Sequence, residues 1–190
     1  MSPPRQSNRT DSDHLAEATR LHEFALRERA AGRPGNAAPV CLEAVAILER
    51  ECGHSSPEVA NVLNTLGAVR EDLSDYGAAE GDYRRAGAIL AGIEGDDGVL
   101  VRLRVRTMSN LARINRVHGH LEEAERLFLE AIELAETTFD PHGPELPSLL
   151  NDLAVVYKYA ARFDEAEALY RRALASIEAT LGSAHPEAAA

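Results

Sequence analysis

Tryptophan is absent from this chain of 190 residues, and all aromatic residues together make up only 5% of it. Few stretches are β-branched or aromatic, so strands have little to be built from. Ala, Leu, Glu and Arg dominate instead, a mixture that favours helices. Lysine is nearly missing: Lys158 is the sole one, and the other cations among Lys and Arg are arginines scattered along the chain. There are two cysteines, Cys41 and Cys52, too few for a disulfide framework. On one helix their separation of 11 residues amounts to roughly 16 Å, beyond the reach of a disulfide. The first ten residues contain no apolar core of a signal peptide, and no run approaches the ~20 apolar residues of a membrane span. A cytoplasmic protein with no membrane partner is expected. Acids outnumber bases by 31 to 20, giving a net charge of −11. A field of that sign repels nucleic acid and anionic lipid, so neither is an expected partner.

Internal repetition is present. Leu63-Asn64-Thr65-Leu66-Gly67, Met108-Ser109-Asn110-Leu111-Ala112 and Leu150-Asn151-Asp152-Leu153-Ala154 align at offsets of 45 and then 42 residues. The same offsets connect Ala79, Ala124 and Ala166, then Tyr83, Phe128 and Tyr170, then Ala86, Ala131 and Ala173. Subtracting 42 from the first member of each set reaches a weaker copy at Phe24, Ala25, Ala37, Cys41 and Ala44. One register accounts for all of these positions, which is the signature of a repeat array. The units run approximately over residues 15–56, 57–98, 99–143 and 144–185, with the start of a fifth at 186–190. Residues 1–14 are polar, carry Pro3-Pro4 and read as a disordered tail.

Each unit reads as two helices. In the second unit, Val59, Val62, Leu63, Leu66 and Val69 recur at helical spacing from about Pro57 to Leu73. Ser56, Pro57 and Glu58 supply a cap, a first-turn proline and an acid facing the helix dipole. After the polar break at Ser74-Asp75, a second helix carries Ala79, Tyr83, Ala86 and Leu90 on its inner face. Small Gly67, Ala79 and Ala86 let backbones approach, while bulky Leu66 and Tyr83 fill the space between. The segment from Val99 to Arg106 alternates apolar residues with Arg and has a competing reading as a strand. The repeat register makes it a first helix, and the register is the stronger argument.

This pattern resembles the tetratricopeptide repeat, and more closely its 42-residue variant of kinesin light chains. The fourth unit matches best, through Leu150-Asn151-Asp152-Leu153-Ala154, Phe163-Asp164-Glu165-Ala166-Glu167-Ala168-Leu169-Tyr170 and Ala173-Leu174. The first departs most, with Gly32-Arg33-Pro34-Gly35 at its turn and Cys41 at the aromatic position. The resemblance implies an all-α fold: a right-handed superhelix of about four helix-turn-helix repeats, whose first helices line a concave groove. It also implies a non-catalytic scaffold or adaptor that binds a partner peptide or helix in that groove.

Spacing selects the groove-facing stripe. The candidate binding residues are Asn61, Asn64, Arg106, Asn110, Arg113, Arg116, Asn151 and Lys158. Asn side chains both donate and accept, which suits the backbone of an extended peptide. Arg106, Arg113, Arg116 and Lys158 form a basic end suited to an acidic side chain or terminal carboxylate, while Glu71 and Asp72 make the other end acidic. The chaperone-binding subgroup carries a Lys and Asn clamp, but this chain has His22 and Leu26 at those positions.

No site of bond-making chemistry emerges. There is no Gly-rich phosphate loop, nucleophile elbow or paired-carboxylate signature outside the repeat, so neither catalysis nor a cofactor is expected. His118-Gly119-His120 falls short of the four ligands of a structural metal site. His54, His142 and His185 recur at unit boundaries and read as turn residues. The alternative function is a self-associating structural or sensor module of a larger regulatory protein, with homo-oligomers forming through Leu169, Leu174, Ile177 and Leu181 of the last repeat.

Overall fold

The computed structural model describes residues 7–139 and 145–181, with side chains placed over 13–139 and 145–179. Among the described residues there are helices and turns and no strand. In order they are α1 (Ser7–Ala30), α2 (Pro34–Cys52), α3 (Pro57–Asp72), α4 (Tyr76–Ala91), α5 (Gly98–Val117), α6 (Leu121–Thr138), α7 (Glu145–Tyr159) and α8 (Phe163–Leu181). The chain divides into two compact units, Met1–Glu94 and Gly95–Ala190. In the first, α1 packs on α2, α2 on α3 and α3 on α4. In the second, α5 packs on α6, α6 on α7 and α7 on α8.

Local chemistry starts the helices where the sequence indicates. Ser56 Oγ accepts from Val59 N at 3.3 Å, and Asp75 Oδ1 accepts from Ala78 N at 3.2 Å. Asp97 Oδ1 takes the amides of Val99 and Leu100, both at 3.0 Å, and opens α5 through the segment that alternates apolar residues with Arg. That segment is helical from Gly98 onward. The turn inside every hairpin uses one residue in the left-handed region: Gly32 (φ 70°), Ser74 (62°), Gly119 (81°) and Ala161 (59°). Glycine accepts that conformation freely, whereas Ser74 and Ala161 adopt it under strain.

The core of each unit lies between its helix layers. Tyr83, Leu63 and Leu66 in the first are fully buried, and in the second Phe128 is buried in one cluster with Leu150 and Leu153. Cys41, at the equivalent position of α2, is equally buried and behaves as a small core residue. Burial, reinforced by the carboxylate of Asp82, pushes its thiol up to about 11. Both cysteines are unbridged, and both lie on α2.

The expected tail is shorter than its sequence suggested. Residues 7–14 belong to α1, and His14 Nδ1 meets Glu51 Oε1 at 3.0 Å, holding the start of α1 to the end of α2. Outside the described residues lie 1–6, the boundary 140–144 with His142, and 182–190 with His185 and the start of the fifth unit. The side chain of Leu181 also lies outside them.

Candidate functional site

The first helices of each hairpin carry the candidate binding residues. In the first unit these helices are α1 and α3, and polar bonds join them. His22 Nε2 and Thr65 Oγ1 lie 2.8 Å apart, and Arg29 Nε donates to Asp72 Oδ2 at 2.6 Å. Asp72, expected at the acidic end of a groove, thus takes a cation from α1. Asn61 is half-buried on α3. Asn64 is only 2% exposed, and its Nδ2 donates to Ala60 O at 3.1 Å. A ligand's backbone does not reach an amide buried this way.

In the second unit the first helices are α5 and α7. Asn110 is 5% exposed and so, like Asn64, lies inside rather than on the ligand-facing surface. Arg106 is exposed, Arg113 and Arg116 are half-buried, and Asn151 and Lys158 are exposed on α7. The Arg116 guanidinium sits 5.4 Å over the ring of Tyr159, and Tyr159 itself is 67% exposed. This cation–π contact holds a cation and an aromatic face side by side at the surface. At the other end, Arg102 pairs with Glu145 and lies 4.4 Å over Phe139. Arg104 Nη1 donates to Gly95 O at 2.9 Å and faces Asp96 at 3.3 Å.

The charge is layered. Within α5 the charged residues are Arg102, Arg104, Arg106, Arg113 and Arg116, five arginines and no acid, for +5. Within α6, six glutamates face one arginine, 1 − 6 = −5. Arg126 takes Glu123 and Glu130, at 2.6 and 2.5 Å. One hairpin of a chain with net charge −11 therefore carries its positive charge on the first helix and its negative charge on the second. The sequence reading placed Arg106, Arg113 and Arg116 on one helix, where the structure has them, but did not register this opposition. The signal lies in the alternation of apolar residues with Arg from Val99 to Arg106.

Other ionisable groups serve the frame. Glu28 is held by Arg33 and Asn36 and its carboxyl is pulled down to about 2, the hydrogen bond from Arg33 being the chief cause. Arg162 Nη1 bridges to Glu125 Oε2 at 2.6 Å, and its guanidinium lies 3.9 Å over Tyr157. The rings of His118 and His120 stand 6.1 Å apart and edge-on. Among the described residues, no group of three or more His, Cys, Asp or Glu side chains could hold a metal ion. No described helix is long and apolar enough to cross a membrane.

Comparison with known proteins bears on the architecture. Residues 103–190 match a family model described as tetratricopeptide repeat. BtubC (BKLC) from P. vanneervenii is 25% identical in a structural match with a TM-score of 0.74. That match covers 89% of this chain and 66% of BtubC. Over residues 103–190 the chain carries tetratricopeptide repeats. A candidate kinesin light chain of Podosopora anserina with nearly identical repeats, in a single-substitution form, matches with a TM-score of 0.77 at 22% identity. There the coverage is 92% of this chain and 81% of the other. MamA is more distant, with 16% identity and a TM-score of 0.60, over 85% of this chain and 79% of the other. No curated protein matches the sequence. An all-α tetratricopeptide fold of the kinesin-light-chain kind, expected from the repeat register, is what these structures share with the chain.

Proposed function

We propose that this chain is a protein-interaction module whose second unit holds an extended acidic peptide against the first-helix face of α5 and α7. The observation that carries the reading is α5 itself, with five arginines and no acid in a strongly acidic chain. Long-range attraction of an acidic ligand to this protein is weak or repulsive, so affinity must arise locally at such a surface. Arginine presents donors in a planar fork that matches a carboxylate, and Lys158 on α7 adds a point charge to the same unit. Exposed Asn151 offers both a donor and an acceptor for a peptide bond, and half-buried Val155 with Tyr159 supplies apolar contact. Repeat proteins of this architecture present such faces for protein partners.

The test uses fluorescein-labelled peptides of alternating Glu and Ser, with a Lys and Ser peptide as control, titrated with the full chain. Anisotropy should rise with the acidic peptide only and fall as salt is added. Replacing Arg116 and Lys158 together by Ala should weaken binding about tenfold or more while leaving helicity unchanged. Equal binding of both peptides, or an undiminished affinity in the double variant, would remove the basis of the reading.

A further inference from the structure

The two units each carry an arginine at the end of their leading helix, and they fill the place opposite it differently. Arg29 on α1 and Arg116 on α5 occupy one register position, 87 residues apart, and both are half-buried. The residue 43 positions further on ends the next first helix of the same unit. It is Asp72 on α3 and Tyr159 on α7, and both are exposed. In the first unit Arg29 Nε donates to Asp72 Oδ2 at 2.6 Å and Arg29 Nη2 to Asp72 Oδ1 at 3.4 Å, so both carboxylate oxygens face one guanidinium. In the second unit the corresponding place is taken by the Tyr159 ring, whose centroid lies 5.4 Å from the guanidinium carbon of Arg116.

We propose that this exchange decides which unit takes a ligand's carboxylate: Tyr159 keeps Arg116 open to an acidic side chain of a bound peptide, whereas Asp72 fills Arg29 from within the chain. The proposal rests on the reading of α5 and α7 as an acidic-peptide face and adds the residue that opens it. An aspartate accepts guanidinium N–H groups in a fork and cancels their charge. A ring face attracts the cation but accepts no such fork, so the in-plane donors of Arg116 remain for a carboxylate brought by the ligand.

A peptide does not readily displace Asp72. The fold already holds that carboxylate at Arg29, while a ligand must give up translational and rotational freedom to bring one. An exposed pair of this kind adds little to stability. Its consequence is to neutralise Arg29 as a ligand site. The helices around the two positions differ in the same sense, since α3 carries one arginine against three acids and α5 five arginines against none.

The experiment follows the side-chain Nε–Hε signals of Arg29 and Arg116 by heteronuclear NMR in the full chain, without and with the alternating Glu and Ser peptide. In the wild type the peptide should move the Arg116 signal and leave that of Arg29 in place. Tyr159→Asp should move the Arg116 signal without any peptide and weaken peptide binding about tenfold. Arg116→Ala, which weakens binding in the wild type, should add nothing in that background. Tyr159→Asn removes the ring without supplying a charge; it should weaken binding less and leave Arg116 responsive. Asp72→Tyr, the reverse exchange, should make the Arg29 signal respond to the peptide. A wild type that does not prefer the acidic peptide would overturn the face and this proposal together. An acidic peptide that binds while Tyr159→Asp leaves the Arg116 signal unchanged, or while Tyr159→Asn weakens binding as much as Tyr159→Asp, would overturn this proposal alone. So would an Arg29 signal that stays silent in Asp72→Tyr.

Discussion

Replacing Gly67 with Ala probes the closest packing in the first unit. A β-carbon built on Gly67 would lie 2.5 Å from Tyr83 Cε1 and 2.8 Å from both Cδ1 and Cζ. Those atoms belong to a fully buried ring, and its hydroxyl donates to Glu71 on the same helix as Gly67. To restore ordinary contact the ring must move by about 1 Å, against its hydrogen bond and its packed surroundings. Overpacking of this kind costs about 1–3 kcal/mol. Ala offsets part of that, because it is better than Gly inside a helix by about 1 kcal/mol. The net expectation is a loss of about 1 kcal/mol, which in a unit of this size lowers Tm by roughly 4–8 °C. Far-UV circular dichroism during thermal and urea unfolding measures it. A second variant isolates the cause: Tyr83→Phe releases the ring from Glu71, so it should cost less in the Gly67→Ala background than in the wild type. The reasoning fails if Gly67→Ala matches or exceeds the wild type in stability, because helix propensity would then be acting unopposed.

Further expectations follow from strain, ionisation and capping. Ala161→Gly relieves a non-glycine residue at φ 59° and should raise the stability of the second unit by about 1 kcal/mol, read as an upward shift of its urea midpoint. Burial pushes the Asp82 carboxyl up to about 6 although Arg70 donates to it at 2.7 Å. Folding therefore favours its protonated form, and its contribution to stability grows as pH falls through 6 towards 3.8, the opposite of a salt-bridged carboxylate. Asp82→Asn should remove that rise, so wild type and variant compared by Tm from pH 7.5 to 5 should differ in slope; parallel profiles would refute it. Glu28, held near 2, acts in the other sense and loses its contribution only in stronger acid. Ser56→Ala removes the cap of α3 and should cost about 1 kcal/mol by urea unfolding.

Much of the architecture could be read before any coordinates. The repeat offsets alone turned the Val99–Arg106 segment into a helix, where local alternation pointed to a strand, and α5 begins at Gly98. Gly67 and Tyr83 were legible as a small and a bulky packing residue, because small and aromatic residues recur at their register positions, but that they pack against each other is seen only in the structure. The candidate face was legible less completely. Helical spacing assigns a direction to each residue, but the width of the buried arc depends on what packs alongside. In the first unit α1 lies against α3, and Asn64 falls within that arc while Asn61 stays at its edge. The start of α1 was missed for a related reason. Polar composition suggested a tail, whereas the bond between His14 and Glu51 depends on α2 ending where α1 begins.

The charge layering and the exposed residues of α8 depend on different levels of the same repeat. Buried positions recur because every hairpin must present small and bulky residues to its neighbour, and they account for the fold. Exposed positions are free to diverge, and α5 diverges by carrying arginines alone while α6 keeps its glutamates. The register series Glu49, Glu136 and Glu178 stands between these cases. Two of its members are tied to arginines within the chain, while the same register position on α4 is Ala91. Charge keeps an exposed helix face soluble, and on α1 Arg20 and Arg27 place it around Phe24. On α8, by contrast, Tyr170 and Leu174 are exposed and Ile177 half-buried, with Glu178 beside them.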